Sequence, residues 1–181
     1  MQYAVDGEDK KSNNRNTNIC TCVHAERVVY MKYRYMSIED YEKVYSLWMT
    51  IDGFVIRSID DSRQGIEKFL NRNPDMSIVA LDGDNVVGAL LCGHDGRRGC
   101  FYHVCVHINY RKHGVATKMV NMALEALKRE GINKVSLIAF QKNKIGNKFW
   151  QDREFDFRDD LNYYDFTINE ENIFTENKIT Q

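Results

Sequence analysis

The residues with the clearest chemical potential lie between Val104 and Thr117, where an apolar run ends in the basic tripeptide 111–113 and is followed by Gly114. Helix-spaced apolar residues come next, so a helix is expected to begin there. The first turn of a helix presents N–H groups without intrahelical partners, together with the positive end of the dipole. Because glycine leaves room for a ligand, the pattern predicts an anion site, most often for phosphate. The alternative is an ordinary basic turn that caps an amphipathic helix.

Other ligand-binding patterns do not occur in the sequence. Neither nucleotide fingerprint, G-x-G-x-x-G after a strand or G-x-x-x-x-G-K-[ST], is found, so the anion site must belong to another class. Cys20, Cys22 and His24 form one tight cluster, whereas zinc sites usually have two separated ligand pairs. No metal site is therefore predicted.

The composition excludes several classes of protein. The 181 residues are about the length of one domain, and 25 Lys and Arg against 26 Asp and Glu give a net charge of −1, so no nucleic-acid partner is predicted. The longest apolar run, residues 86–92, is far shorter than the ~20 residues that span a bilayer, so no membrane partner is predicted. The spacing of the five cysteines is not typical of a disulfide framework, and the N-terminus has no apolar signal region. Both observations favour a cytoplasmic location.

The elements around the anion segment alternate between strand and helix periodicity. Their order is β-α-α-β-β-β-α-β-α-β-β, which predicts an α/β (α+β) fold with a mixed, largely antiparallel central sheet and helices on both faces. Ser37 and Asp40 form a capping-box pattern at the first helix. The predicted strands cover 33–36, 77–81, 86–92, 100–108, 134–140, the surroundings of Phe155 and 163–168. Three helices are predicted to begin after Ser37, Ser62 and Gly114, and a fourth is predicted to cover 144–153.

Three segments differ in composition. Residues 1–30 are predicted to be a flexible N-terminal tail, because most of this stretch is polar and lacks core-forming residues. Residues 31–172 contain the regular patterns and form the predicted domain. Residues 173–181 are predicted to be a C-terminal tail.

The basic segment resembles a known family. Residues 111–116, R-K-H-G-V-A, fit the R/Q-x-x-G-x-G/A signature of the GNAT superfamily of N-acetyltransferases, and the order of elements from about Tyr33 to Ile168 is similar to that fold. The run G-H-D-G-R-R-G at 93–99, with the strand after it, resembles the small bacterial YpeA-type subgroup. A second segment, from Asn143 to Trp150 and then Phe155, resembles the family's N-x-x-A-x-x-F/L-Y…G-F stretch.

The resemblance implies that residues 31–172 are a GNAT domain with acetyl-CoA as cofactor. Backbone N–H groups of the signature loop and helix start would hold the pyrophosphate, and the preceding strand would pair with the pantetheine arm beside a splayed parallel strand. Asn143 would contact the cofactor, with capping of the last helix as the alternative. The implied cofactor-binding residues are Val104, Cys105, Val106, Arg111, Lys112, His113, Gly114, Val115, Ala116, Thr117, Asn143 and Trp150.

Two positions depart from the family's pattern. Trp150 stands where many members have a tyrosine that protonates the departing thiolate, and an indole N–H is a poor acid. Glu154 stands where the family usually has glycine, so the turn before Phe155 is expected to differ locally. The implied reaction is direct attack of an amine on the thioester in a ternary complex.

The base that removes the amine proton is the least determined part of the predicted site. Many family members use a glutamate on the strand before the signature, but residues 100–108 contain no carboxylate. The side chain of Tyr102 is expected to point to the same face of the strand as that glutamate does in the family. His103 is the better base at neutral pH but can point to the opposite face of the strand. Both are catalytic candidates, with a structural role as the alternative for each.

The loop from Thr50 to Arg63 is expected to select the acceptor. It contains Asp52, Asp60 and Asp61, and acidic groups would suit a cationic amine. The predicted partner is a small-molecule or peptide amine, and the chain is predicted to be a monomer or a homodimer. The predicted function is transfer of acetyl from acetyl-CoA to a primary amine. The alternative is a catalytically silent acyl-CoA-binding or regulatory module on the same fold.

Overall fold

The computed structural model describes residues 18–24 and 27–178, with side chains from Met31 onward. Within these residues no helix is long and apolar enough to cross a membrane. The strands are β1 Asn18–His24, β2 Arg27–Tyr35, β3 Val55–Arg57, β4 Ile78–Asp82, β5 Asn85–His94, β6 Gly99–Val106, β7 Val135–Leu137 and β8 Phe174–Glu176. The α-helices are α1 Tyr41–Met49, α2 Arg63–Arg72, α3 Val115–Arg129 and α4 Lys144–Asp152.

Six of the strands form one sheet, in the order β1-β2-β4-β5-β6-β7, while β3 and β8 form a separate antiparallel pair. All neighbours in the large sheet are antiparallel except β6 and β7, which are parallel across the α3 crossover. The predicted mixed, largely antiparallel sheet is confirmed, including its one parallel pair.

Helices cover both faces of this sheet, as predicted. Because side chains alternate along a strand, β4 directs Ile78 toward the α3 side and Val79 toward the α1 and α2 side. On the α3 side Met119 is fully buried, and on the other side Trp48 is fully buried. Strand β6 runs between two apolar layers and therefore contacts both.

The helix boundaries follow the local signals in the sequence. Ser37 and Asp40 form the predicted capping box at a short 3-10 turn that leads into α1. Ser62 caps α2 through a hydrogen bond from the Gly65 N–H to its hydroxyl, at 3.1 Å. Gly131, just after α3, has a φ of 72°, the left-handed conformation that ends helices.

Of the three strands predicted at the C-terminal end of the sheet, one is confirmed only in part and two are wrong. The strand predicted over 134–140 is only three residues long and not fully buried, and Ile138 after it is 67% exposed. No strand forms around Phe155 or over 163–168. A strand needs a neighbour to receive its ladder hydrogen bonds, and here β7 ends before it can provide one.

Strands also form outside the predicted domain limits of 31 and 172. Strand β1, in the predicted N-terminal tail, pairs with β2 in the register Asn18↔Tyr33 to His24↔Arg27. Strand β8, in the predicted C-terminal tail, pairs with β3. Residues 1–17, 25 and 26 of the predicted N-terminal tail lie outside the described residues, as do residues 179–181 at the other end.

Candidate active site

Helix α3 begins at Gly114, which has a φ of 77° and the left-handed conformation. The first intrahelical hydrogen bond runs from the Lys118 N–H to the Gly114 carbonyl, at 3.0 Å, so the N–H groups of residues 115–117 precede it. A Cβ on Gly114 would meet no atom within 4 Å, so there is open space beside the residue that precedes these N–H groups. Anion binding at this helix start stays a prediction.

Basic side chains lie in the loop before this helix start and beside its first turn. Lys112 and His113 are exposed in the loop before it. Arg111 turns back to β6 and donates its Nε–H to the Val106 carbonyl at 3.0 Å. Arg153, which follows α4, donates from Nη1 to the Thr117 hydroxyl at 3.1 Å. Sequence reasoning missed Arg153, because it lies 36 residues from Thr117 and no spacing links the two.

The strand that leads into this loop has an unpaired edge. Strand β6 extends to Val106, but its pairing with β7 ends at Phe101↔Leu137. Residues 102–106 therefore have no strand neighbour on the β7 side in the described part of the chain. The edge can receive an extended amide chain by added-strand pairing. The pairing ends where the family resemblance implies a splay, and the splay itself stays a prediction.

A β-bulge interrupts β6 halfway along its length. Between the pairs Ala89↔Cys105 and Leu91↔Tyr102, β6 advances one residue more than β5. His103 lies in this bulge with a φ of 49°. A bulge changes the alternation of side chains, so the aromatic contacts decide where each side chain points.

The bulge places Tyr102 and His103 on the same face of β6. The Tyr102 ring lies 5.8 Å from that of Phe69 in α2, and the His103 ring lies 4.8 Å from that of Trp48 in α1. The prediction that His103 can point to the opposite face from Tyr102 is therefore wrong. In a regular strand, neighbouring side chains point to opposite faces. The extra residue in the bulge lets Tyr102 and His103 point to the same face.

A buried carboxylate orients His103. Its Nε2 lies 2.6 Å from Oδ1 of Asp61, whose side chain is only 8% exposed. The second oxygen of Asp61 accepts the Arg57 N–H at 2.7 Å. The Phe54 ring, at 5.0 Å, packs against the imidazole beside Trp48. Asp61, expected at the mouth of the acceptor site, binds the imidazole instead, and Nδ1 makes no hydrogen bond within the described residues.

Tyr102 differs from His103 in its protonation chemistry. Burial and the neighbouring Cys100 thiol raise the pKa of Tyr102, so its hydroxyl keeps its proton at neutral pH. Burial also raises the pKa of the Cys105 thiol to about 12 and that of Cys92 to about 12. Neither buried thiol is a thiolate nucleophile under these conditions. On this face His103 is the side chain suited to accept a proton.

The second predicted cofactor segment is mainly structural in its contacts. Asn143 accepts the Gly146 N–H at 2.9 Å and so caps α4, which matches the alternative given for it. The Trp150 ring lies 4.9 Å from the rings of Phe149 and Phe155 in an aromatic cluster. Cofactor contacts by Asn143 and Trp150 stay predictions.

The turn before Phe155 keeps a glycine-like conformation without glycine. Glu154 has a φ of 61°, in the left-handed region that most side chains avoid. The Phe155 N–H then bonds to the Trp150 carbonyl at 3.0 Å. The prediction that this turn differs from the glycine-containing turn of the family stays a prediction.

Comparison with known proteins identifies similar sequences and folds. A profile of the acetyltransferase (GNAT) family matches residues 40–157. An acetyltransferase from Sodalis glossinidius is 30% identical over 131 residues, which are 72% of this chain and 91% of the relative.

Two solved structures share the fold at low sequence identity. AAC(6')-Iy, solved with a bisubstrate analogue of CoA and acetylneamine, has a TM-score of 0.60 at 18% identity over 76% of this chain and 98% of its own. A chain of the NatC complex, solved with Gag peptide and CoA, has a TM-score of 0.55 at 23% identity over 68% and 82%.

Proposed function

The chain belongs to the GNAT acetyltransferase family, and on that premise we propose that it transfers acetyl from acetyl-CoA to a primary amine. One observation carries the proposal: a single strand, β6, connects both halves of the chemistry. Its unpaired edge, residues 102–106, leads to the open start of α3. Its bulge turns His103 toward α1 and α2, where it meets Asp61.

The cofactor half of the site consists mainly of backbone groups. We assign the diphosphate of CoA to the N–H groups of residues 115–117, with positive charge from Lys112 and Arg153 nearby. The unpaired β6 edge around Val104 is assigned to the amide groups of the pantetheine arm. The open space at Gly114 supports this fit, because a ligand can approach the helix start directly.

The acceptor half consists of side chains. Bound acetyl-CoA would supply the thioester carbonyl that the amine attacks, so that the C–N bond forms, the C–S bond breaks and CoA leaves as the thiol. His103 accepts the amine proton at Nδ1, because Nε2 is held by Asp61. The Asp61 carboxylate fixes the orientation of the imidazole and balances the charge that the imidazole gains. Tyr102, which retains its proton, donates a hydrogen bond on the same face rather than acting as the base.

We assign the choice of acceptor to the loop between α1 and α2. Strand β3 of this loop pairs with β8, and Asn172 accepts the Ile59 N–H at 2.9 Å, so the loop has a fixed shape. Similar structures were solved with an acetylneamine-containing analogue and with a Gag peptide, and we propose a small-molecule or peptide amine for this chain.

A catalytically silent acyl-CoA-binding module is the second candidate. Two observations favour it: β6 carries no carboxylate, and Trp150 is packed in an aromatic cluster rather than placed as an acid. Both candidates predict CoA binding, so binding alone does not separate them.

Release of free CoA thiol from acetyl-CoA, measured against a panel of amines that includes aminoglycosides, polyamines and N-terminal peptides, tests the proposal. An N-acetyltransferase releases thiol in proportion to at least one amine, with the matching acetylated product in the mass spectrum. CoA binding by calorimetry without turnover on any amine would support the silent module instead.

A further inference from the structure

An ion pair places one of the chain's own ammonium groups between a carboxylate and an aromatic ring. Lys142, in the loop between β7 and α4, pairs with the carboxylate of Glu176 in β8. Its Nζ also lies 5.4 Å from the centre of the Phe140 ring. A carboxylate binds an ammonium group through charge-assisted hydrogen bonds, and the face of an aromatic ring attracts it through the ring quadrupole. The groups around Lys142 Nζ therefore have the chemistry of a binding site for an alkylammonium ion.

The carboxylate of this pair belongs to the acceptor side of the molecule. Glu176 pairs with Val55 of β3, which lies in the loop between α1 and α2. The next residue is tied to the same loop, because the Asn177 N–H donates to the Phe54 carbonyl at 2.8 Å. The Phe54 ring in turn lies 5.0 Å from the ring of His103. Glu176 is therefore fixed on a strand that is held beside the residues around the proposed base.

The lysine of this pair comes from the other side of the open β6 edge. The pairing of β6 with β7 ends at Phe101↔Leu137, and the chain then passes through residues 138–143 to α4. Phe140 in this loop is 50% exposed. Lys142 thus connects the loop after β7 with the strand pair on the acceptor side. The ion pair joins the two sides of the region in which, on the proposed function, the thioester and the amine meet.

The ion pair is exposed enough for a ligand to replace the lysine. The side chain of Lys142 is 64% exposed and that of Glu176 is 28% exposed. Ion pairs of exposed side chains contribute little to stability, because water and salt screen them and two long side chains lose conformational freedom. A lysine has a flexible four-carbon stem, whereas Glu176 is held on β8. The lysine is therefore the partner that leaves, and the carboxylate stays in place.

We infer that Glu176 and Phe140 form a subsite for a second, non-reacting ammonium group of the acceptor, and that Lys142 fills this subsite until the acceptor binds. The inference rests on the proposed function, because it names the class of acceptor: an amine that carries a second ammonium group. The amine that attacks the thioester must be neutral, and its proton is assigned to His103. A nearby carboxylate favours the charged form of an amine, so Glu176 suits an ammonium group that does not react.

Matched pairs of linear amines test the inference on the full chain. Diaminobutane, diaminohexane and diaminooctane are each compared with the alkyl monoamine of the same carbon number, and release of CoA thiol gives kcat/KM for each. We expect at least one diamine to exceed its monoamine by about tenfold, because its second ammonium group gains a charge-assisted hydrogen bond. Equal values of kcat/KM within every pair would overturn the inference and leave acetyl transfer intact.

Two single substitutions should change the KM of the diamine in opposite directions. Glu176→Gln removes the negative charge of the subsite and should bring the ratio of kcat/KM for diamine and monoamine to about one. Lys142→Met removes the internal competitor and should lower the KM of the diamine about two- to fivefold, which is the range that an exposed ion pair allows. If both substitutions raise the KM of the diamine, the ion pair only holds the loop to β8 and the inference is wrong.

A second exposed ion pair supplies the matched controls. Lys128 pairs with Glu125 on α3, so Glu125→Gln and Lys128→Met make the same chemical changes away from the acceptor loop. Both variants should keep the wild-type ratio of diamine to monoamine. A changed ratio in either control would show that general surface charge determines the preference, and would overturn the assignment to Glu176.

Calorimetry separates failure of this inference from failure of the proposed function. If no amine is acetylated, acetyl transfer is contradicted, but binding of diaminohexane to the protein with CoA present still tests the subsite. We expect tighter binding to Lys142→Met than to the wild type, and about tenfold weaker binding to Glu176→Gln. Equal dissociation constants for the three proteins would overturn the inference, whether or not turnover is observed.

Discussion

The two halves of the proposed site differ in how they are built, although both meet at β6. On the cofactor side the binding groups are backbone N–H groups at the start of α3, placed by one glycine and the helix that follows it. On the acceptor side the reactive group is the side chain of His103, which is hydrogen-bonded to Asp61, 42 residues away in the sequence. A backbone site is local in sequence, whereas a side-chain pair depends on the tertiary fold.

This difference predicts two patterns of sensitivity to mutation. Substitutions of loop side chains on the cofactor side should weaken binding by modest factors, because the N–H groups remain. On the acceptor side, removal of a single side chain should stop the chemistry while the cofactor still binds. The following substitutions test this division in order of expected effect.

His103→Gln should have the largest effect. Loss of a general base typically lowers turnover by about 10²–10⁴-fold, and glutamine keeps a polar side chain beside Asp61. We expect kcat to fall by that factor, while the Kd of CoA by calorimetry stays within twofold. An unchanged kcat would mean that another group or water removes the amine proton.

Asp61→Asn tests whether the carboxylate positions the imidazole. Asparagine retains an oxygen for the Arg57 N–H, so the loop should keep its fold. We expect kcat to fall about tenfold or more through loss of imidazole orientation, with a shifted pH–rate profile and an unchanged Kd for CoA. A lower melting temperature with the wild-type pH–rate profile would assign Asp61 a purely structural role.

Gly114→Glu should weaken CoA binding by about 100-fold, which corresponds to ~2.7 kcal/mol. The substitution places bulk and negative charge in front of the α3 N–H groups and strains a φ of 77°. Gly96→Glu is the matched control, since Gly96 has a φ of 90° and equally open surroundings but lies in the turn between β5 and β6. Equal CoA affinities in the two variants, measured by calorimetry, would contradict the assignment.

Arg153→Ala should have a smaller effect on the same side. Loss of one charge-assisted contact near Thr117 is expected to weaken CoA binding about three- to tenfold, and added salt should reduce the difference. Gln151→Ala, an exposed position on α4, is the control. An Arg153→Ala variant that binds CoA like the wild type would limit the cofactor site to the backbone and the loop before α3.

A local side-chain pair on the acceptor side should affect stability rather than activity. Burial alone would raise the pKa of Asp40, but two 2.6 Å hydrogen bonds from Arg34 and one from the Ser37 N–H outweigh it and lower that pKa. A carboxyl with a depressed pKa in the folded state stabilises above its unfolded pKa, and the stability is lost as pH falls through the folded value.

Asp40→Asn should therefore lower the free energy of unfolding by ~1–3 kcal/mol at pH 7 and remove part of the loss that the wild type shows in acid. Urea unfolding at a series of pH values checks this. Parallel stability curves for the two proteins from neutral pH to acid would contradict the stabilising role of the carboxylate.

The parts of the structure that the sequence predicts are those set by neighbouring residues. The Ser37 capping box, the Ser62 cap and the start of α3 at Gly114 each need only a few adjacent residues, and each forms as expected.

The parts that escaped prediction depend on contacts between distant segments. The bulge at His103 exists because β6 and β5 lose register, which no pattern within β6 reveals. Strand β8 needs β3, over a hundred residues earlier, to receive its hydrogen bonds. Residues 163–168 have strand-forming residues but no neighbour among the described residues, so preference alone did not make them a strand.

A crystal structure of the chain with bound CoA tests the central claim most directly. We expect diphosphate oxygens within about 2.7–3.2 Å of the backbone nitrogens of residues 115–117. We also expect the pantetheine arm to run along the β6 edge. A diphosphate bound elsewhere, with those nitrogens bonded only to water, would show that the start of α3 is not the diphosphate site.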